Sequence, residues 1–201
     1  MQLVFFLEEP SAKAMLQGVL PKILPAGVQT QFVVFDGKQD LEKRLPLRLR
    51  AWQRPDAKFI VMRDQDSGNC KEIKAGLVQK CLNAGKEEHL VRIACHELES
   101  FYLGDLAAVA EAIGPNSLAR QQNRAKYRDP DRLANPSQEL KKMAPSYQKM
   151  SGSRAIGLVM DVEGNRSYSF NMLLSGVKRL AGVEQGEFML RCNILKSTSF
   201  Q

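Results

Sequence analysis

The sequence predicts an α/β fold: a mostly parallel four-stranded sheet flanked by helices, followed by a helical C-terminal cap. Three observations carry this. Short apolar runs alternate with amphipathic stretches through the first 115 residues, the pattern of repeated strand–helix units. The runs are nearly unbroken in Val, Ile, Leu and Phe, as expected of strands covered on both faces. Each run is also followed within two residues by an acid. At 201 residues, 44% hydrophobic and 25% charged, the chain is long enough to bury a core and too apolar for a disordered class.

The first strand is expected over residues 3–7. A helix over 10–24 opens with Pro10, whose fixed φ suits a first turn, and sets Ala14, Met15, Val19 and Ile23 at helical spacing. A strand over 31–35 precedes a helix over 41–52, which Pro46 should bend or shorten. The third strand, 58–62, leads through the turn residues Ser67-Gly68-Asn69 into a helix over 70–82, and the fourth strand covers 90–95. Beyond Asp105 the strand signal fades. A helix over 106–113 is stopped by Gly114-Pro115, and the polar stretch to Pro136 reads as loop or short helices. Helices over 137–143, 154–162 and 169–180 follow. The chain thus divides into an α/β core, 1–115, and a mainly helical extension packed on it, 116–201.

No apolar run approaches the ~20 residues of a membrane helix, and the N-terminus lacks the basic start and cleavage site of a signal peptide. A cytoplasmic protein is expected. The four cysteines, 70, 81, 95 and 192, show no C-x-x-C spacing, so reduced, mostly buried thiols are expected rather than a zinc or redox motif. The net charge of +7 has a location: residues 1–115 hold 15 Lys/Arg and 15 Asp/Glu, whereas 116–201 hold 14 and 7. Arg124, Lys126, Arg128, Lys141 and Lys142 belong to the densest basic stretch, which also includes Lys149, with Tyr127 and Tyr147 interleaved. Such a stretch suits a nucleic-acid backbone, DNA before RNA, and equally suits a solvated helical face.

The carboxyl ends of parallel strands share one edge, where ligands bind, so the acids behind the strands should converge. Packed carboxylates repel one another unless a cation or donors neutralise them. Mg²⁺, or Mn²⁺ in its place, takes hard oxygen ligands and needs one or two carboxylates before substrate phosphate completes its shell. Asp64-x-Asp66 can turn two carboxylates toward one ion, and Glu8 is placed to bind metal or act as a base. Glu9 falls on the opposite side if the strand continues. Glu97 and Glu99 are candidates for a second metal site, with interaction with a helix dipole as the structural alternative. Asp36 reads as a turn or cap, and His96 as a surface or capping residue.

A glutamate after the first strand and a D-x-D after a later one, here Glu8, Asp64 and Asp66, resemble the Toprim domain of topoisomerases, primases and OLD-type nucleases. More closely, the chain resembles DUF4276, a Toprim-like bacterial group. It does so through Leu7-Glu8-Glu9-Pro10-Ser11, Arg63-Asp64-Gln65-Asp66-Ser67, the run from Arg92 through His96-Glu97-Leu98-Glu99 to Asp105, and Asn165-Arg166-Ser167-Tyr168-Ser169-Phe170. The position after Glu8, usually glycine in such families, is Glu9 here. The resemblance implies a Toprim fold, Mg²⁺-dependent phosphodiester hydrolysis with Glu8, Asp64 and Asp66 as catalytic residues, and a role in phage defence beside an ATPase. The alternative is a noncatalytic partner that binds nucleic acid or the ATPase. No tyrosine stands out as a topoisomerase nucleophile, and no ATP-binding glycine loop is present, so any ATP dependence belongs to another chain. A haloacid-dehalogenase phosphatase would carry its D-x-D on the first strand, and a von Willebrand-type ion site would read D-x-S-x-S. Neither matches. A two-fold homodimer is the default assembly.

Overall fold

The strand β1 (Gln2–Leu7) is buried along its whole length, and the rest of the molecule is arranged around it. In the computed structural model, which describes residues 1–183, it pairs in parallel with β2 (Gln29–Val34) on one side and β3 (Ala57–Asp64) on the other. Phe5 stands opposite both Phe32 and Ile60. β4 (His89–Ala94) adds in parallel to β3, with Val61 opposite Val91. The sheet is therefore all parallel, in the order β2-β1-β3-β4. The chain steps one way from β1 to β2 and the other way from β3 to β4, so the direction reverses between the carboxyl ends of β1 and β3. Such a reversal opens a crevice in an open α/β sheet.

The alternation of side chains along each strand assigns the two faces. Leu3, Phe5, Leu7, Ile60, Met62 and Leu90 point to one face, where they pack with α1 (Pro10–Val19), α4 (Glu99–Leu103), α5 (Leu106–Ala112), α7 (Lys149–Val159) and α8 (Tyr168–Leu180). Val4, Phe6, Phe59, Val61 and Ile93 point to the other, against α2 (Lys38–Arg50) and α3 (Cys70–Asn83). Leu41, Leu45 and Leu49, four residues apart, form the buried stripe of α2. Residues from both sides of Pro115 share the first of these cores.

Three helices differ most from their expected bounds. α1 ends at Val19 in a 3₁₀ turn, Leu20–Lys22, because Pro21 has no N–H to continue the ladder. α2 begins at Lys38, three residues early, and runs through Pro46. The carbonyl left unbonded there belongs to Glu42, on the exposed side where water can serve it. α7 begins at Lys149 rather than 154. Gly152 and Ser153, which resemble a turn in sequence, are buried in the helix, and Gly152 lies flat against the Tyr147 ring. The stretch before α6 (Pro136–Met143) consists of the 3₁₀ turns Asn116–Asn123, Ala125–Tyr127 and Pro130–Arg132.

Two contacts fix the C-terminal helices. α7 crosses α1 backbone to backbone at Gly157 and Gly18, and the Lys22 ammonium donates to the Met160 carbonyl at 2.8 Å, at the end of α7. α8 lies on β4, where Arg92 Nε donates to the Met172 carbonyl at 2.9 Å. The Asn165–Ser169 segment is a clasp. Asn165 Nδ2 donates to the Phe101 carbonyl at 2.9 Å, Ser167 caps α8, and Asp131 accepts from both Ser167 Oγ and the Ser169 N–H. Arg166 donates to the Gln122 carbonyl and to Asn123 Oδ1, each at 2.7 Å. Cys70, Cys81 and Cys95 are free thiols, while Cys192 and the end of the extension, residues 184–201, lie outside the described residues. No described helix is long and apolar enough to cross a membrane.

Candidate functional site

Glu8 follows β1 directly, and its Oε2 accepts the backbone N–H of Asp64 at 3.0 Å, so this carboxylate ties the ends of β1 and β3 together. Asp64, the last residue of β3, lies on the Met62 face and is 9% exposed. Arg63, one residue earlier, turns to the opposite face and is 5% exposed. Its Nε donates to the Asp64 carbonyl at 2.9 Å and its Nη1 to Glu42 at 2.5 Å. Glu8 and Asp66 stand 3.8 and 3.6 Å from the same guanidinium. A buried cation thus lies behind the acids and holds two of them in place.

Beyond the strands the backbone curls. Asp66 and His96 take the left-handed conformation, at φ 54° and 58°, and the Asp66 N–H donates to the His96 carbonyl at 2.7 Å. Each non-glycine residue in that region costs about 1–2 kcal/mol, which only a surrounding that over-determines the turn will hold. Here Gln65 supplies it, its N–H on the Ala94 carbonyl and its Oε1 accepting the His96 N–H. His96 therefore shapes the turn. Gly37, at φ 88°, donates its N–H to the Glu8 carbonyl and starts α2 so that Lys38 Nζ reaches Asp66 Oδ2 at 2.8 Å.

Glu8, Glu9, Asp64, Asp66, Glu97 and Glu99 line one cleft of about 400 Å³ at the crossing point of the sheet. Its far wall is Ser137, Gln138 and Lys141 from α6, with Tyr147, Gln148 and Lys149 at the start of α7. Glu9 lies on the same side as Glu8, because the strand ends at Leu7 and alternation no longer governs the next residues. It occupies the N-cap position of α1 and bonds to Ser11 Oγ and Lys149 Nζ. Glu97 Oε2 accepts the Ser137 N–H at 2.8 Å and so caps α6 rather than its own helix. Glu99, 1% exposed, accepts from the Tyr147 hydroxyl at 2.9 Å. Asp36 is exposed and lies outside this lining.

A family model described as a domain of unknown function, DUF4276, matches residues 7–178, from the last residue of β1 into α8, and so spans every side chain of the cleft. The chain belongs to the DUF4276 family. In two further comparisons, no curated protein and no solved structure matched it.

The electrostatics of this DUF4276 site follow from burial among like charges. Burial, with the charges of Glu9, Glu8 and Glu99, pushes the Asp64 carboxyl well above its ordinary range. Burial also raises Glu8, against the opposing Asp64 N–H and Arg63 charge, and raises Glu99, against the Tyr147 hydroxyl and Lys149. Lys149 is pulled down by burial, but its bond to Glu9 and the charges of Glu9, Glu99 and Asp64 raise it overall. The donors are all oxygen, the chemistry of a hard divalent cation. Among the described residues, no three His, Cys, Asp or Glu side chains are already arranged as a metal centre. Two acids are held by lysines instead: Asp66 by Lys38 and Glu9 by Lys149.

The structure separates the basic residues read from the sequence. Lys141 lines the acid cleft. Lys126, bonded to Glu139 at 2.6 Å, and Lys142 line a neighbouring cavity, and Arg124 and Arg128 line neither. Sequence reasoning assigned no role in the site to Arg63, Lys38 or Lys149. Arg63 carried one signal, a charge set between the apolar run 58–62 and Asp64. Lys149 carried only its place in the basic stretch, since the fold brings it to Glu9 from 140 residues away.

Proposed function

We propose that this protein is a divalent-cation-dependent phosphodiesterase that hydrolyses nucleic acid. The observation that carries the proposal is Asp64, a carboxylate about nine-tenths buried and facing other carboxylates at the crossing point of the sheet. An acid so placed gains from a cation what it has lost in hydration. Asp64 and Glu8 would hold Mg²⁺ or Mn²⁺, flanked by Asp66, Glu97 and Glu99. That few protein ligands is the usual number where phosphate completes the shell. When bound, the ion would polarise the phosphoryl oxygens and offset their charge. Lys149 and Lys141 would meet the phosphate, Lys149 exchanging Glu9 for it. Glu8, whose Oε2 is held by the Asp64 N–H, keeps Oε1 for the cation or, in its place, for a proton from attacking water. Arg63 positions Glu8 and Asp66 from behind.

The noncatalytic alternative has one observation in its favour: Lys38 and Lys149 already neutralise two of the acids. A single assay separates the two readings. Supercoiled, linear and single-stranded DNA and RNA are incubated with the protein in Mg²⁺ or Mn²⁺, beside Asp64→Ala/Asp66→Ala. Cation-dependent cleavage that the double variant lacks is expected. Cleavage equal in both proteins, or absent from both on every substrate, favours the noncatalytic reading.

A further inference from the structure

Beside the acid cleft lies a second cavity, of about 190 Å³, and Gln138 lines both. Gln138, Lys141 and Lys142 stand at i, i+3 and i+4 of α6, so they form one rib between the two hollows. Lys141 belongs to the cleft and Lys142 to the cavity. Among the described residues neither lies within ion-pair distance of a carboxylate. Lys126, in the cavity wall, is already engaged: Glu139 Oε1 accepts from Lys126 Nζ and from the Tyr127 hydroxyl, each at 2.6 Å. The cavity therefore offers an apolar surface in Leu133 and Ala134, two carboxamides in Asn135 and Gln138, and the Lys142 ammonium, whose charge acts on Glu139 in the same wall without pairing with it.

That set fits a nucleobase. Its flat face lies on apolar side chains, its edge alternates donors and acceptors as a carboxamide does, and its phosphate lies within reach of a cation. The space takes one heterocycle, not a base pair, and a base inside a duplex reaches such a pocket only after leaving the stack. We infer that this cavity holds the unpaired base next to the phosphate in the acid cleft, which makes the substrate single-stranded nucleic acid. The inference rests on the hydrolytic reading of the cleft, yet its test does not depend on cleavage.

The test measures fluorescence anisotropy of a short fluorescein-labelled single-stranded DNA, and of its duplex, with the full-length wild-type protein in Ca²⁺, a hard cation that takes the same oxygen ligands. The single strand should bind at least about tenfold more tightly than the duplex. Asn135→Ala removes one carboxamide, and Ala134→Trp fills the cavity from an exposed position. Each should erase the preference. Equal affinity for both DNAs, or a preference that survives in both variants, overturns the inference. If the preference holds while the wild type cleaves nothing, the hydrolytic reading falls and the base site stands. If the wild type cleaves but shows no preference, the base site falls alone.

Discussion

Asp64→Asn is expected to abolish cation-dependent cleavage and at the same time to stabilise the cation-free protein at neutral pH. The activity loss should be about a hundredfold or more, since even outer partners of metal ligands are worth roughly 10–100-fold. The stability gain follows from the direction of the pKa shifts. Asp64 is raised well above 3.8, and Glu8 and Glu99 are raised above 4.5. A carboxyl whose pKa is higher folded than unfolded holds its proton more tightly in the folded state. The stability this confers is complete below the unfolded value and is lost as pH rises through the raised one. Without cation, the wild-type Tm should therefore fall as pH rises out of the ordinary carboxylate range through neutrality. The variant should show a shallower fall and a higher Tm at the upper end. Differential scanning calorimetry across that range checks this, and a wild-type Tm that rises with pH would contradict it.

Gly157→Ala is expected to be among the more damaging conservative changes in the fold. A Cβ on Gly157 would lie 2.5 Å from the Met15 carbonyl oxygen and 2.9 Å from its Cα, and one on Gly18 would lie 2.5 Å from backbone atoms of α7. Backbone meets backbone there, so no side chain can swing aside and the helices must separate. Overpacking costs about 1–3 kcal/mol, and this contact belongs at the upper end. The Tm should fall by roughly 6–12 °C for a chain of this size. Because α7 also carries Lys149, the displaced helix should withdraw that lysine from Glu9 and weaken substrate binding, read as a rise in KM. A Tm within about 2 °C of wild type would mean that the α1–α7 crossing is looser than described.

The four strands were legible because parallel strands buried on both faces must be apolar nearly throughout. The site acids were legible because the carboxyl ends of such strands share an edge, so Glu8, Asp64, Asp66, Glu97 and Glu99 could be expected together before any coordinate, and they line one cleft. Glu9 was set on the opposite side by extending the two-residue alternation beyond Leu7, where the strand has ended. The cations were less legible. Charge density along the chain singled out Lys141, which lines the cleft, together with Arg124 and Arg128, which do not, because it carries no information on which element folds against the acids. Lys38 reaches Asp66 through the glycine turn at Gly37, and Lys149 reaches Glu9 through the glycine-on-glycine packing of α7. Arg166 donates to a carbonyl and a carboxamide in the clasp around α8. These are tertiary facts with no local signature.

The most direct test of the account is Mn²⁺ binding to the full-length wild-type protein, measured by isothermal titration calorimetry beside Asp64→Asn. Saturable binding that Mg²⁺ competes away, and that the variant loses, is the predicted result. No binding to the wild type, or equal binding to both proteins, would contradict the claim that this acid cleft is a divalent-cation site.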